Sequence, residues 1–216
     1  MSISENIKHI KSQIPTGVIL IAVSKTKPNQ MLLEAYNSGQ RDFGENYVQE
    51  LVDKQNKLPK DIRWHFIGHL QSNKVKYIAP FIYLIHGVDS FSLLKEINKQ
   101  AKKNNKVIDC LLQIYIAHEE TKFGLDFYEA KQLLNSNELK GLKNIAIKGF
   151  MAMASNTDDI EQIRKEFKSL KEFSLQFPDY KTLSFGMSGD YKLAIEEGSN
   201  MVRIGSSIFG ERNYKK

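Results

Sequence analysis

Cysteine is nearly absent from this sequence, since Cys110 is the only one among 216 residues. One cysteine cannot form an internal disulfide, so a small secreted fold held together by disulfides is excluded, and Cys110 is expected to be a buried packing residue. The first 15 residues lack the apolar core of a signal peptide, and apolar runs such as residues 18–23 are far shorter than a membrane span. We therefore expect a cytoplasmic protein with no membrane partner.

Linkers and low-complexity segments are missing as well. No stretch rich in proline, glycine or serine divides the chain, and its 41% hydrophobic and 26% charged residues are typical of a globular protein. We predict a single domain over residues 1–216, in which about residues 1–15 form a helix that precedes the first strand.

Excess negative charge is absent too, because 31 Lys and Arg residues outnumber 25 Asp and Glu residues and give a formal net charge of +6. Such a balance suits either a nucleic acid or an anionic small molecule. The basic run over residues 102–106 lacks interleaved aromatic residues and any known nucleic-acid motif, so it is read as a solvated helix end. No nucleic-acid partner is predicted.

The clearest pattern present is an alternation of strands and helices. Short runs rich in β-branched and aromatic residues alternate with segments in which apolar residues recur every three or four positions. The strand-like runs begin near Val18, Arg41, Arg63, Tyr83, Cys110, Ile145, Tyr180 and Asn200. Eight such units predict a parallel α/β fold, a single (β/α)8 TIM barrel. Such barrels typically have about 250 residues, so this chain of 216 residues leaves room only for short loops.

An open doubly wound sheet is the alternative fold. It is weakened because no glycine-rich dinucleotide fingerprint follows the first strand. In the barrel, ligand-binding groups are expected at the C-terminal ends of the strands. Lys25 ends the first strand there and is a candidate Schiff-base nucleophile, unless it simply extends to solvent.

The seventh and eighth strands both end in turns rich in glycine and serine. Residues 186–189 and 203–207 form these turns, and a helical segment follows each. In (β/α)8 enzymes this position commonly holds a phosphate, because small residues and a helix N-terminus present backbone N–H groups to the anion. The alternative is that Ser188 and Ser206 are only helix N-caps and that the glycines only allow tight turns.

Other polar residues at strand ends allow more than one interpretation. Asn46 with Gln49 forms a possible capping box, and ligand contact is an equal alternative. Met153 is more simply explained as packing than as a ligand contact. His65 and His69 lie four residues apart on a strand segment, but no further residue completes a metal site, so no metal is predicted.

Five segments together resemble the pyridoxal 5′-phosphate homeostasis proteins. They are residues 22–28 (AVSKTKP), 43–50 (FGENYVQE), 64–71 (WHFIGHLQ), 185–188 (FGMS) and 202–210 (VRIGSSIFG). The resemblance covers nearly the whole chain in the same order. That family is similar in fold to the barrel domain of bacterial alanine racemase, the fold-type III arrangement of proteins that bind pyridoxal phosphate.

The resemblance implies roles for particular residues. Lys25 would hold the cofactor as a Schiff base, Arg203 would face the pyridine nitrogen, and Asn46 and Met153 would lie near the ring. The 5′-phosphate would be held by Ser188, Gly205 and Ser206. His69 lies in a matching segment, but the resemblance assigns it no contact.

The resemblance also implies a non-catalytic protein that buffers pyridoxal phosphate and supplies apo-enzymes. Arg203 is a permanent cation, so it would leave the ring nitrogen unprotonated and weaken the cofactor as an electron sink. The chain ends after the eighth unit, so we expect no C-terminal β-domain of the kind that supplies an opposing tyrosine in alanine racemase, and we expect a monomer. The alternative is a small amino-acid racemase that depends on pyridoxal phosphate.

Overall fold

The computed structural model describes residues 2–117 and 123–211. In these ranges the strands are β1 (Ile19–Val23), β2 (Asp42–Glu45), β3 (Arg63–Phe66), β4 (Leu84–Val88), β5 (Ile108–Gln113), β6 (Ile145–Met151), β7 (Thr182–Ser184) and β8 (Met201–Ile204). They pair in parallel and in chain order, and β8 pairs with β1 to close the barrel. The predicted (β/α)8 barrel is confirmed, and the open doubly wound sheet is wrong. Each strand begins within two residues of its predicted start.

Helices connect successive strands on the outside of the barrel. The described helices are α1 (Ile3–Gln13), α2 (Asn29–Asn37), α3 (Val48–Lys57), α4 (Val75–Ile78), α5 (Phe91–Lys103), α6 (Phe127–Asn135), α7 (Asn137–Lys140), α8 (Ile160–Leu175), α9 (Tyr191–Glu196) and α10 (Ser206–Phe209). A short 3-10 turn, Ser72–Lys74, precedes α4. None of the helices in the described ranges is long and apolar enough to cross a membrane.

The first helix shows how local sequence produces these elements. Ser2 caps α1 by accepting a hydrogen bond from the Glu5 backbone, and the Glu5 carboxylate accepts one in return from the Ser2 backbone. Ile3, Ile7 and Ile10 recur at helical spacing and are buried. This apolar face packs α1 against α2 and α10, so it covers the junction between the first and last units of the barrel.

Two apolar layers form the core. In β1, Leu20 and Ala22 belong to the large cluster between strands and helices, whereas Ile21 between them belongs to a separate small cluster. Because side chains alternate along a strand, the small cluster fills the barrel interior. Its buried members, here called the interior cluster, are Ile21, Leu84, Leu111, Met151 and Met201. Cys110 is fully buried in the large cluster as predicted, and burial raises the pKa of its thiol.

Candidate functional site

A cavity of about 280 Å³ opens at the C-terminal ends of the strands. It is lined by Val23, Lys25, Lys27, Asn46, Ile67, Met153, Met187, Ser188, Gly189, Arg203, Gly205, Ser206 and Gly210. All seven predicted site residues are in this set, although they are far apart in the sequence. The parallel barrel brings them together because every strand points its C-terminal end toward the same face.

Lys25 follows β1 and is half-buried. The backbone is held on both sides of it: the Lys54 ammonium donates to the Ser24 carbonyl oxygen at 2.7 Å, and the Thr26 N–H donates to the Glu50 carboxylate at 2.6 Å. Thr26 has a φ of 64°, a left-handed conformation that a β-branched residue rarely adopts. The turn that presents Lys25 is therefore strained and fixed by contacts from α3.

A buried charge cluster lies behind this turn. Lys54 Nζ lies 2.7 Å from Glu45 Oε1 and 2.6 Å from Glu50 Oε1, and the Ser24 hydroxyl donates to the same Glu45 oxygen at 2.6 Å. Burial raises the pKa of Glu45 to about 6, and Lys54 opposes that rise. Glu45 Oε2 is buried and has no hydrogen-bond partner among the described residues. The cluster was not predicted, although the Glu50–Lys54 spacing was a signal for its helical part.

The turns after β7 and β8 contact each other directly. The Gly205 N–H donates to the Ser188 hydroxyl at 3.2 Å, and α10 begins at the next residue, Ser206. The N-caps of α9 and α10 are Asp190 and Gly205, so the interpretation of the two serines as N-caps is wrong. Within the described residues, the backbone N–H groups of Ser206 and Ser207 donate to no backbone oxygen.

Arg203 extends from β8 into the barrel interior and is 4% exposed. One terminal nitrogen donates to the carbonyl oxygen of Ser184 at 2.6 Å and to its hydroxyl at 2.7 Å, and the other donates to the Ala152 carbonyl oxygen at 2.9 Å. Burial lowers the pKa of Arg203 to about 10, and Asp190 opposes that change, so the guanidinium remains a cation at neutral pH. Its remaining N–H groups have no acceptor among the described residues.

Asn46 does not form the capping box that was one of its two interpretations. Helix α3 begins at Val48, its N-cap is Tyr47, and no side chain caps it. Instead the Asn46 amide oxygen is buried without a hydrogen-bond partner in the described part of the chain. Gly68 makes this position possible, because a Cβ there would lie 2.6 Å from the Asn46 carbonyl oxygen.

Two other residues considered in the sequence lie at different points of the mouth. Met153 lines the cavity and also packs against the interior cluster, as the packing interpretation predicted. His69 does not line the cavity: its ring stacks on Phe123 with centroids 4.1 Å apart, and its Nδ1 lies 3.1 Å from an Asp89 oxygen. His69 therefore belongs to the rim of the barrel.

Three cations define the chemistry of the cavity. Lys27 Nζ donates to the carbonyl oxygens of Phe209, Gly210 and Glu211, and thus holds the C-terminal end of α10. Among the described residues that line the cavity, the titratable ones are Lys25, Lys27 and Arg203. The site is suited to an anionic ligand and offers it a lysine amine.

Comparisons with known proteins show which family this chain is similar to. A family model described as alanine racemase, N-terminal domain, matches residues 1–213. The chain is 40% identical over 232 residues to the pyridoxal phosphate homeostasis protein of Vibrio alginolyticus, and the match covers 99% of both chains.

Solved structures show the same similarity. The structure of PipY from Synechococcus elongatus PCC7942 with PLP bound has a TM-score of 0.86 and 34% identity over 96% of this chain and 100% of PipY. The alanine racemase of Clostridium difficile 630 has a TM-score of 0.80 and 14% identity over 99% of this chain and 58% of the racemase, and at this identity the likeness concerns the fold alone.

Proposed function

We propose, because this chain belongs to the pyridoxal phosphate homeostasis proteins within the alanine racemase N-terminal domain family, that it binds pyridoxal 5′-phosphate at the mouth of its barrel and carries it without turnover. The observation that carries the proposal is the convergence of Lys25, Arg203 and the two serine–glycine turns on one cavity. The PLP-bound structure of PipY supports the identity of the ligand.

The two turns fit the phosphate of this cofactor. Ser188 and Ser206 place hydroxyl groups on the cavity, and the N-terminus of α10 presents backbone N–H groups that lack partners in the described residues. Backbone N–H groups at a helix N-terminus commonly bind phosphate. Gly205 links the two turns through its bond to Ser188, so a single phosphate can contact both.

The polar groups deeper in the cavity fit the ring. The Asn46 amide oxygen is a buried acceptor that needs a donor, and Arg203 has N–H groups that need an acceptor. A pyridine nitrogen is an acceptor of this kind. Met153 and Ile67 supply apolar surface beside these groups, which suits an aromatic ring.

Lys25 supplies the amine. When bound, pyridoxal phosphate offers an aldehyde whose C=O bond is replaced by a C=N bond to a lysine nitrogen, with release of one water molecule. Lys25 must lose its ammonium proton before its nitrogen can react. The clamped turn around Lys25 fixes where that nitrogen enters the cavity.

The lining residues support a carrier in preference to an enzyme. Proton transfer at a substrate carbon needs positioned acids and bases, and racemisation needs one on each side of the carbon. Among the described lining residues, the titratable ones besides Lys25 are Lys27 and Arg203. Lys27 is held by three carbonyl oxygens, and Arg203 is a permanent cation. A cation beside the ring nitrogen also weakens the cofactor as an electron sink.

The lysine assignment is tested by borohydride reduction of the protein incubated with pyridoxal phosphate. Before reduction, wild-type protein is expected to show a visible absorption band. After reduction, that band is expected to disappear and one covalent adduct to appear by mass spectrometry, and Lys25→Ala is expected to show neither the band nor the adduct. Lys27→Ala is the matched control in the same cavity and is expected to keep the adduct. An adduct that persists in Lys25→Ala and disappears in Lys27→Ala would move the amine to Lys27.

A small racemase is the second candidate, and the match to the alanine racemase family model favours it. Chiral analysis of amino acids incubated with the loaded protein separates the two functions. We expect no racemisation above the rate of free pyridoxal phosphate. Sustained racemisation that is lost in Lys25→Ala would replace the carrier by an enzyme.

The proposal extends to the setting of the protein. A single domain over residues 1–216, a monomer, a cytoplasmic location and transfer of the cofactor to apo-enzymes are all part of it. The single cysteine supports a reducing compartment. Size-exclusion chromatography with light scattering tests the monomer, and reactivation of an apo-enzyme by the loaded protein tests the transfer.

A further inference from the structure

A row of polar side chains crosses the barrel interior beneath Arg203. It consists of Ser184, His86, His65 and Asp42, from four different strands, and is called here the interior polar chain. Ser184 Oγ lies 3.0 Å from His86 Nδ1, His86 Nε2 lies 2.9 Å from His65 Nδ1, and His65 Nε2 lies 3.1 Å from Asp42 Oδ1. Ser184, His86 and His65 are all fully buried. Barrel interiors are usually filled by branched apolar residues, so four linked polar groups require another explanation.

The hydrogen bonds of this chain all run in one direction. Arg203 can only donate, so the Ser184 hydroxyl accepts from it and directs its own proton to His86 Nδ1. We assign the His86 proton to Nε2 for this reason, and it is donated to His65 Nδ1. The His65 proton is then on Nε2 and is donated to the Asp42 carboxylate. Every donor points away from Arg203.

Both histidines are neutral in this arrangement. Burial lowers the pKa of His65, although its hydrogen bond to Asp42 opposes that change, and burial together with the nearby Arg203 cation holds the pKa of His86 well below its usual range. A neutral imidazole has one donor and one acceptor nitrogen, which is what a chain of uniform direction requires. The negative ends of the dipoles therefore point toward the buried Arg203 cation.

Asp42 ends the chain at the opposite side of the barrel. Burial of Asp42 opposes ionisation, but hydrogen bonds from Arg63 and His65 lower the pKa of its carboxyl to about 2. Arg63 contacts both carboxylate oxygens, at 2.7 and 2.5 Å, and both residues line a cleft at the N-terminal end of the barrel. The carboxylate can only accept, so it determines the direction of the bonds above it.

We propose that the interior polar chain is a positioning device in which Asp42, through His65 and His86, orients Ser184 and thereby fixes the Arg203 guanidinium at the floor of the cavity. Ser184 and His86 are positioning residues, since Arg203 alone among these groups lines the cavity. The effect on a bound cofactor rests on the proposed function, whereas the direction of the chain does not. A substitution at Asp42 is therefore expected to change the cavity from the far side of the barrel.

The first experiment measures the histidine tautomers in ¹⁵N-histidine-labelled protein by long-range ¹H–¹⁵N correlation spectra. His65 and His86 are expected to carry their protons on Nε2. Asp42 Oδ1 accepts from both Arg63 Nε and His65 Nε2. Asp42→Asn replaces one carboxylate oxygen by a donor N–H₂ group and weakens the acceptor beneath His65, so we expect a measurable fraction of His65 to move its proton to Nδ1, and the His86 proton to move to Nδ1 with it. Leu111→Val is the control, because it changes a member of the interior cluster and none of the residues of the interior polar chain. It is expected to keep the wild-type tautomers. Protons found on Nδ1 in wild-type protein would overturn the proposal.

The second experiment measures binding of pyridoxal phosphate and the absorption spectrum of the bound cofactor. Ser184→Ala removes one hydrogen bond from the Arg203 cation and is expected to weaken binding roughly tenfold and to alter the spectrum. Ser184→Thr keeps the hydroxyl and is expected to restore both. Asp42→Asn is expected to alter the spectrum, and Leu111→Val is not.

The two experiments separate the possible failures. If wild-type protein does not bind pyridoxal phosphate, the proposed function is contradicted. The histidine tautomers then still test the direction of the interior polar chain. Binding that is intact in the wild type, with a spectrum of Asp42→Asn identical to that of Leu111→Val, contradicts the positioning role.

Discussion

At the scale of single residues, position on a strand decides which side chains reach the cavity. Lys25, Asn46 and Arg203 lie at or just beyond strand ends, and the barrel carries all three to one face. This rule depends only on recognising eight parallel strands, so the strand ends that meet at the cavity could be predicted, whereas the choice of seven residues among them came from the family resemblance. The burial of charged groups could not be predicted in this way. Lys54 is on an exposed-looking helix pattern and is nevertheless 4% exposed, because Glu45 of the neighbouring strand lies beneath it.

Glu45 makes stability depend on pH in a definite direction. Its pKa is about 6 in the folded protein against an ordinary value of 4.5, so its carboxyl is protonated in both states below pH 4.5. As the pH rises through 6, ionisation is harder in the folded state, and its contribution to stability is lost. The raised pKa corresponds to about 2 kcal/mol of stability.

Urea denaturation at a series of pH values tests this prediction for Glu45→Gln. The difference in unfolding free energy between wild type and variant is expected to change across this pH window, because the amide does not titrate. Glu172→Gln, at a side chain that is 65% exposed, is the control and should follow the wild-type curve. Parallel curves for wild type and Glu45→Gln would contradict the pKa of Glu45.

At the scale of secondary-structure elements, the alternating pattern predicts strands and helices well, but not the contacts that join neighbouring strands. Gly149 in β6 shows this. A Cβ at this position would lie 1.8 Å from the Thr182 carbonyl oxygen in β7. The register of β5 against β6 shifts beside it, between Cys110 and Leu111. The sequence shows a glycine in a strand, but only the paired strands show that the backbones meet there.

Gly149→Ala is therefore expected to push β6 and β7 apart. We expect a loss of roughly 3 kcal/mol in unfolding free energy, because the clash is with backbone and neither strand can move without breaking the ladder. Gly189→Ala is the matched control, since a Cβ there has no atom within 4 Å and should leave stability nearly unchanged. Chemical denaturation measures both, and equal stability of the two variants would show that the strands can separate without cost.

At the scale of the whole molecule, α1 connects the two ends of the barrel. Its buried face packs on α2 and α10, and the Asn6 side chain donates to the Ile208 carbonyl oxygen in α10 at 2.9 Å. Since α10 follows the turn that we propose as the phosphate site, the first helix supports the last part of that site. The capping box and the isoleucine spacing predict the helix from the sequence, but they do not predict that it packs on α10.

Ile7→Ala tests this support. Ile7 is 1% exposed, and the cavity left by truncation is expected to cost about 3 kcal/mol of unfolding free energy. Ile160→Ala, at a residue that is 62% exposed, is expected to stay within about 0.5 kcal/mol of wild type. Thermal and urea unfolding measure both variants. If Ile7→Ala were as stable as Ile160→Ala, α1 would contribute little to closure of the barrel.

The sequence by itself determined the order of elements, the barrel and the strand ends that form its mouth, because strand and helix periods and turn residues are local properties of a chain. Only the tertiary structure decided which distant groups meet. Closure of β8 onto β1 brings Arg203 beside the strand that precedes Lys25, and inward alternation of side chains links His65 and His86 beneath Arg203. Such contacts depend on register and closure, which no local period encodes, and burial then sets the charge state of the groups that meet.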